Sequence, residues 1–102
     1  MQVSVSAPHQ DISQGMRARL EERLNRLEQY FAGTSSVRAI FERRNGEHAV
    51  ELIASAGGKV LAVDAHSETF NGAFGRALDR MERMLRRRKA KLRLERRRRA
   101  QG

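Results

Sequence analysis

The sequence contains no cysteine, no tryptophan and a single proline, and only five of its 102 residues are aromatic. Without cysteine, neither disulfide bonds nor thiol chemistry are available, which fits a reducing compartment. No apolar run approaches the roughly 20 residues that a membrane-spanning helix needs. The N-terminus also lacks the basic-then-apolar layout of a signal peptide. We therefore expect a cytoplasmic protein without a membrane partner.

Residues suited to catalysis or to metal binding are equally sparse. The three histidines, His9, His48 and His66, have no spacing typical of a metal site, and no glycine-rich phosphate loop occurs. Asp64 is one carboxylate without an evident partner, whereas general acid–base catalysis uses a pair of groups or a base with an orienting group. The sequence therefore predicts no catalytic residue, metal or cofactor, and an enzyme is the least favoured class of function.

Positive charge is what the sequence has in excess, and it is confined to the C-terminal quarter. Residues 1–75 contain 8 basic and 9 acidic side chains, whereas residues 76–102 contain 13 basic and 3 acidic ones, a net charge of +10. This concentration exceeds what solubility requires. It is typical of a surface that binds nucleic acid or another polyanion. The alternative interpretation is a solvated helix face followed by a disordered tail.

The run 70–99 has the pattern of a helix with one buried face and one basic face. Arg88 interrupts the apolar row where the next large apolar residue would fall. The apolar row consists of Phe70, Phe74, Ala77, Met81 and Leu85. A second row at helical spacing is entirely basic and is predicted to bind nucleic acid: Arg76, Arg80, Arg83, Arg87 and Lys91.

Strand and helix patterns alternate in the first 69 residues. A short strand over 1–6 precedes a helix that we expect to begin at the N-cap Ser13 and to end near Phe31. Three strands follow, separated by the turn pairs Asn45-Gly46 and Gly57-Gly58. The order β-α-β-β-β-α predicts an α+β two-layer sandwich, in which a four-stranded mixed sheet carries two helices on one face. We assign residues 1–92 to this domain and residues 93–102 to a basic, flexible C-terminal tail.

The kind of nucleic acid can be argued from the aromatic residues. Nearly all five fall in predicted core rows, so no aromatic platform is expected on the sheet for stacking unpaired bases. Recognition through phosphates and shape suits folded RNA. Asn and Gln are missing from residues 76–99, which is a weak argument against reading a DNA major groove. A general nucleic-acid-binding or architectural protein is the alternative.

Several stretches together resemble the short ribosome hibernation-promoting factors and ribosome-associated inhibitors of bacteria. They are MQVSVSAPHQDIS at the start, RLNRLEQYF over 23–31 and LDRMERMLRRRKAKL over 78–92, combined with the strand pattern, and they span residues 1 to about 93. The resemblance implies the β-α-β-β-β-α fold. It also implies binding to the small ribosomal subunit, in the mRNA and tRNA channel near the decoding centre, and inhibition of translation during starvation or stationary phase.

The resemblance further implies which residues contact ribosomal RNA. Thr69-Phe70-Asn71 and Gly75 depart from the usual Asp-aromatic-Tyr entry to the last helix and from the acidic residue one turn later. The long form's C-terminal dimerisation domain is missing from this sequence, so we expect a monomer off the ribosome that competes with mRNA and tRNA. The implied RNA contacts are Arg80, Arg83, Arg86, Arg87, Lys89 and Lys91 in the last helix, and Arg17, Arg23 and Arg26 in the first.

Overall fold

The alternating segments form one mixed sheet with the strand order β1-β2-β3-β4, in a computed structural model that describes residues 1–101. β1 pairs with β2 in parallel, and the other two pairs are antiparallel, as predicted. The elements are β1 (Gln2–Ser6), α1 (Gln14–Asn25), a 3-10 helix (Arg26–Tyr30), β2 (Thr34–Arg44), β3 (Glu47–Ala56), β4 (Lys59–Ser67) and α2 (Phe70–Gln101).

Two tight turns join the antiparallel strands and set their register. Asn45 and Gly46 have φ values of 53° and 80°, and Arg44 pairs with Glu47 across this two-residue loop. Positive φ at both central positions is the geometry of a type I′ turn, which matches the twist of the flanking strands. The Gly57-Gly58 turn between β3 and β4 likewise has positive φ at both positions. Both turn predictions are confirmed.

One face of the sheet and the apolar sides of both helices enclose a single core. Phe41 stacks on Phe70 with ring centroids 4.7 Å apart and lies 5.6 Å from Phe74, which joins β2 to the start of α2. The outward-facing residues of the strands alternate with the buried ones, so register alone decides which side chains meet solvent. The largest fully buried side chains are Phe41, Phe74, Leu24, Leu52, Met81, Leu85, Val37 and Val50.

The first helix begins as predicted but ends earlier. The Ser13 hydroxyl accepts the Met16 backbone N–H at 3.1 Å, which confirms the N-cap. The prediction of one helix as far as Phe31 was wrong, because α1 ends at Asn25 and the chain tightens into the 3-10 helix. Leu24 and Leu27, three residues apart, are both buried, and three residues per turn keeps both on the core side.

The second helix is far longer than the sheet it covers. Its 32 residues extend about 48 Å at 1.5 Å per residue, in a molecule that measures 53 × 26 × 17 Å. Contact with the sheet side ends at Leu92, which packs over Gly57, and residues 93–101 are exposed and helical. The assignment of 93–102 as a flexible tail concerns motion and stays a prediction; Gly102 lies outside the described residues. Within residues 1–101, neither α2 nor any other helix has the length and apolar character needed to cross a bilayer.

Candidate nucleic-acid interface

Helix α2 carries basic side chains on both sides of its buried row. One side, which we call the β4 flank, contains Arg76, Arg80, Arg83 and Arg87 and lies along the edge strand β4. The other side, the 3-10 flank, contains Arg86, Lys89 and Arg93 and faces the 3-10 helix. The sequence predicted one basic face. The structure shows two flanks, because Arg86, Lys89 and Arg93 form a second basic row at helical spacing on the other side of the buried row.

Arginines of the β4 flank cover the free edge of the sheet. The guanidinium of Arg76 donates to the His66 carbonyl oxygen at 3.0 Å, and that of Arg80 donates to the Asp64 carbonyl oxygen. β4 has a strand partner on one side only, so these contacts satisfy backbone groups that would otherwise meet water or another chain. Arg76 and Arg80 thus have a structural contact besides any contact with a polyanion.

The next residues of the β4 flank, Arg83 and Arg87, make no hydrogen bond to β4. Val63 and Met84 form the floor of a shallow groove whose rim is made of Arg80, Arg83 and Arg87. Arg83 and Arg87 are exposed, and Lys91 continues the row one turn further. Among residues 76–101, the only ion pairs to carboxylates are Arg86 with Glu82 and Arg99 with Glu95. The charge of this flank is therefore available to an external anion.

Arg86 on the 3-10 flank is held by two neighbours. Its Nε lies 3.2 Å from a carboxylate oxygen of Glu82, and its guanidinium carbon lies 5.0 Å from the centroid of the Tyr30 ring. A guanidinium at this distance over an aromatic face makes a cation–π contact. Tyr30 and Glu82 line the same groove, and hydrogen bonding of the phenol to Glu82, with burial and the charge of Glu82, raises the pKa of Tyr30.

The three basic residues predicted in the first helix have different surroundings. Arg17 is half-buried and donates to the Val5 carbonyl oxygen at 2.6 Å, so it ties α1 to β1. The guanidinium of Arg23 lies 4.9 Å from the centroid of the Phe74 ring. Arg26 pairs with Glu22 at 3.1 Å. Arg23 and Arg26 line the groove between the first helical segment and α2, and Arg17 lies apart from it.

Two residues matter here that sequence reasoning did not assign. Arg88, placed where the apolar row fails, turns inward and donates to the carbonyl oxygens of Ala56 and Gly57. Tyr30, which was given no role from the sequence, is half-buried and lines the groove of the 3-10 flank. The sequence contains a signal for this position. Adjacent side chains point in different directions, so Tyr30 and Phe31 cannot both lie in one buried row.

The outer face of the sheet has the opposite electrostatic character. Glu42, Glu47, Glu51 and Asp64 line an open depression there. Glu42 is paired with Arg44 at 3.0 Å, and Glu47 lies 3.4 Å from His66. The molecule is therefore polarised, with its basic groups on the helix side and carboxylates on the exposed side of the sheet.

The described residues offer little for catalysis. Over residues 1–101, no three His, Asp or Glu side chains approach closely enough to hold a metal ion. His48 packs edge-on against Phe70 on the core side, while His66 is exposed on the outer face. The arrangement can bind and orient an anion.

Comparison with known proteins agrees with this architecture. Residues 3–93 match the family described as sigma 54 modulation protein / S30EA ribosomal protein. The chain belongs to this family. The resemblance noted in the sequence is thereby confirmed for the region that contains the sheet, both helices and both basic flanks.

Relatives of this sigma 54 modulation / S30EA protein include two named ribosome hibernation promoting factor. The protein from Azotobacter vinelandii is 28% identical over 85 residues, which cover 83% of this chain and 79% of that protein. The protein from Pseudomonas putida KT2440 is 28% identical over 91 residues, which cover 89% of each.

Two solved structures share the fold of this family member. The Protein Y N-terminal domain of Thermus thermophilus superposes with a TM-score of 0.75 at 22% identity, covering 85% of this chain and 98% of that one. A ribosomal subunit interface protein from Coxiella burnetii gives 0.78 at 21% identity, covering 88% and 99%. Both have the α+β sandwich found here.

Proposed function

We propose that this protein is a ribosome hibernation factor, which binds the small ribosomal subunit in the mRNA and tRNA channel near the decoding centre. Bound there, it inhibits translation during starvation or stationary phase. The observation that carries the proposal is the one-sided distribution of charge on the fold of this family. Exposed cations without carboxylate partners line α2, while carboxylates collect on the opposite face of the sheet.

In this proposal the protein acts by occupying space on the ribosome and catalyses no reaction. Arginine and lysine side chains bind RNA phosphates and release counterions, which gives strong binding that weakens with salt. A rigid sandwich anchored in this way fills the space that mRNA and tRNA need, so ribosomal RNA is its partner and the two translation ligands are its competitors. No cofactor takes part. The printed names of the relatives, ribosome hibernation promoting factor and ribosomal subunit interface protein, support this assignment.

The predicted contact residues differ in whether the side chain already donates to a backbone carbonyl oxygen elsewhere in the protein. Arg17 serves the fold, because its guanidinium is held by the Val5 carbonyl oxygen. Arg76 and Arg80 can contact phosphate only while bridging to β4 or after leaving it. The exposed side chains without such a tie are the ones we propose as principal phosphate contacts: Arg83, Arg87, Lys89 and Lys91, with Arg86, Arg23 and Arg26 beside them.

Sedimentation tests the proposal directly. Purified protein is mixed with small subunits, large subunits and duplex DNA at low and at moderate salt, and its distribution is measured. A hibernation factor travels with small subunits at moderate salt and is displaced by tRNA together with mRNA. The alternative, a general nucleic-acid-binding or architectural protein, predicts equal retention on DNA and no displacement by tRNA, and that result would refute the proposal.

A further inference from the structure

The groove of the 3-10 flank combines an aromatic ring, a guanidinium held by two neighbours and two exposed cations. Arg86 is paired through its Nε with Glu82, and its guanidinium lies over the Tyr30 ring. The Arg86 side chain is nevertheless 62% exposed, so the side of its guanidinium that faces away from Tyr30 meets solvent. Lys89 and Arg93 line the same groove, as does Gln29.

A guanidinium fixed in this way differs from an ordinary surface arginine. A free arginine loses side-chain entropy when it orders on a ligand. Arg86 is already restrained by an ion pair and an aromatic face, so less entropy remains to be lost. The planar guanidinium is also a surface on which nucleobases stack, in addition to being a charge that phosphates attract.

We propose that this groove is a subsite for one unpaired RNA nucleotide, whose base stacks on the exposed face of the Arg86 guanidinium. Lys89 and Arg93 bind the phosphates on either side, and the amide of Gln29 offers a donor and an acceptor to the edge of the base. The inference rests on the proposed function in taking RNA as the ligand. It adds a base contact to what is otherwise binding through phosphates.

The β4 flank provides the internal comparison. Its arginines surround an apolar floor of Val63 and Met84, and no aromatic ring lies among them. Arg76 and Arg80 are directed to backbone carbonyl oxygens, and in the described residues neither lies over an aromatic ring. We therefore assign phosphate contacts to that flank and the single base contact to the 3-10 flank.

The test separates the contribution of the base to affinity from that of the phosphates. Affinity is measured at low salt for a short oligoadenylate and for an abasic oligomer with the same number of phosphates. The full chain should bind the base-containing oligomer about tenfold more tightly, in the range that stacking of one base on a side chain supports. Arg86→Lys keeps the charge but lacks the plane, so its preference should fall to less than about twofold.

Arg96→Lys is the matched control. It makes the same substitution at an exposed position of α2 without an aromatic partner, and it should keep the full tenfold preference. Tyr30→Phe keeps the ring but loses the hydrogen bond to Glu82, and it should retain most of the preference. Circular-dichroism melts confirm that each variant is folded.

Two results would overturn the subsite. Equal affinity of the wild type for both oligomers would show that the groove binds phosphates only. A preference retained in folded Arg86→Lys would place the base elsewhere. Small-subunit sedimentation of the same samples is scored separately, so a wild type that prefers bases but ignores small subunits would refute the proposed function and leave the subsite standing.

Discussion

Arg88 Nη2 donates to the carbonyl oxygen of Gly57 at 2.7 Å, and Arg88 Nε donates to that of Ala56 at 3.2 Å. The contact joins α2 to the β3–β4 turn across 31 residues of chain. It lies one turn before Leu92, whose side chain packs over Gly57, where a Cβ would come within 2.5 Å of Leu92 Cδ1. Arg88 therefore fixes the direction in which the basic extension leaves the body.

Replacing Arg88 should destabilise the fold. Arg88→Ala removes two charge-assisted hydrogen bonds to backbone carbonyl oxygens, and we expect the free energy of unfolding to fall by about 1–2 kcal/mol, since the site is partly exposed. Urea denaturation measures this. The control is Arg87→Ala, one residue away and exposed, which should change stability by less than about 0.5 kcal/mol. Equal losses in the two variants would contradict the anchoring role.

Reversing charge on the β4 flank should weaken binding strongly without unfolding the protein. Arg83→Glu with Arg87→Glu removes two free cations and adds repulsion, so affinity for small subunits at moderate salt should fall about tenfold or more. The matched control changes the net charge equally at Arg38 and Arg44, which are exposed on the face of β2 opposite the helices. Similar losses from both pairs would show that total charge, and not this flank, determines binding.

The aromatic contact between β2 and α2 should carry much of the stability. Phe74 is fully buried and lies 5.6 Å from Phe41, so Phe74→Ala should lower the free energy of unfolding by about 3–5 kcal/mol. Phe70→Ala should cost less because Phe70 is only half-buried, although it stacks on Phe41. Thermal or urea melts of both variants decide the order, and a larger loss at Phe70 would be inconsistent with this core.

Removing residues 93–102 should flatten the salt dependence of binding. The segment contains five basic residues and one acidic residue, and its described part is exposed. Each lost phosphate contact lowers the slope of log affinity against log salt by about 0.7–0.9. We expect weaker binding at moderate salt but unchanged competition with tRNA at low salt. Loss of tRNA competition at low salt would instead assign the specific contacts to this segment.

The pKa of Tyr30, the single tyrosine, should depend on Glu82. The hydrogen bond to Glu82 raises the pKa of Tyr30, so the phenolate should form at higher pH in the folded protein than in the unfolded chain. The neutral phenol is the form that the fold favours, and this contribution to stability is lost as pH rises through the folded pKa. Glu82→Gln should move the transition toward the ordinary tyrosine pKa. Phenolate absorbance measures both, because the chain has no tryptophan and one tyrosine.

Periodicity alone determined the order of elements and most of the core. Val37, Ala39 and Phe41 stand at every second position of the sequence, which places them on one face of β2, and all three are buried. The pair Asn45-Gly46 predicted a two-residue hairpin, because few other pairs accept positive φ twice. These features depend on interactions between near neighbours, which are written directly in the sequence. The concentration of charge in residues 76–102 is equally local and needs no fold to be seen.

Only tertiary structure decided what the individual cations do. Arg17, Arg80, Arg83 and Arg88 look alike in sequence, yet Arg17, Arg80 and Arg88 donate to distant backbone carbonyl oxygens while Arg83 is left free of any such distant tie. The early end of α1 likewise follows from how the chain turns toward β2. A long, flexible side chain is compatible with many partners, and which partner it meets depends on elements brought together from far along the chain.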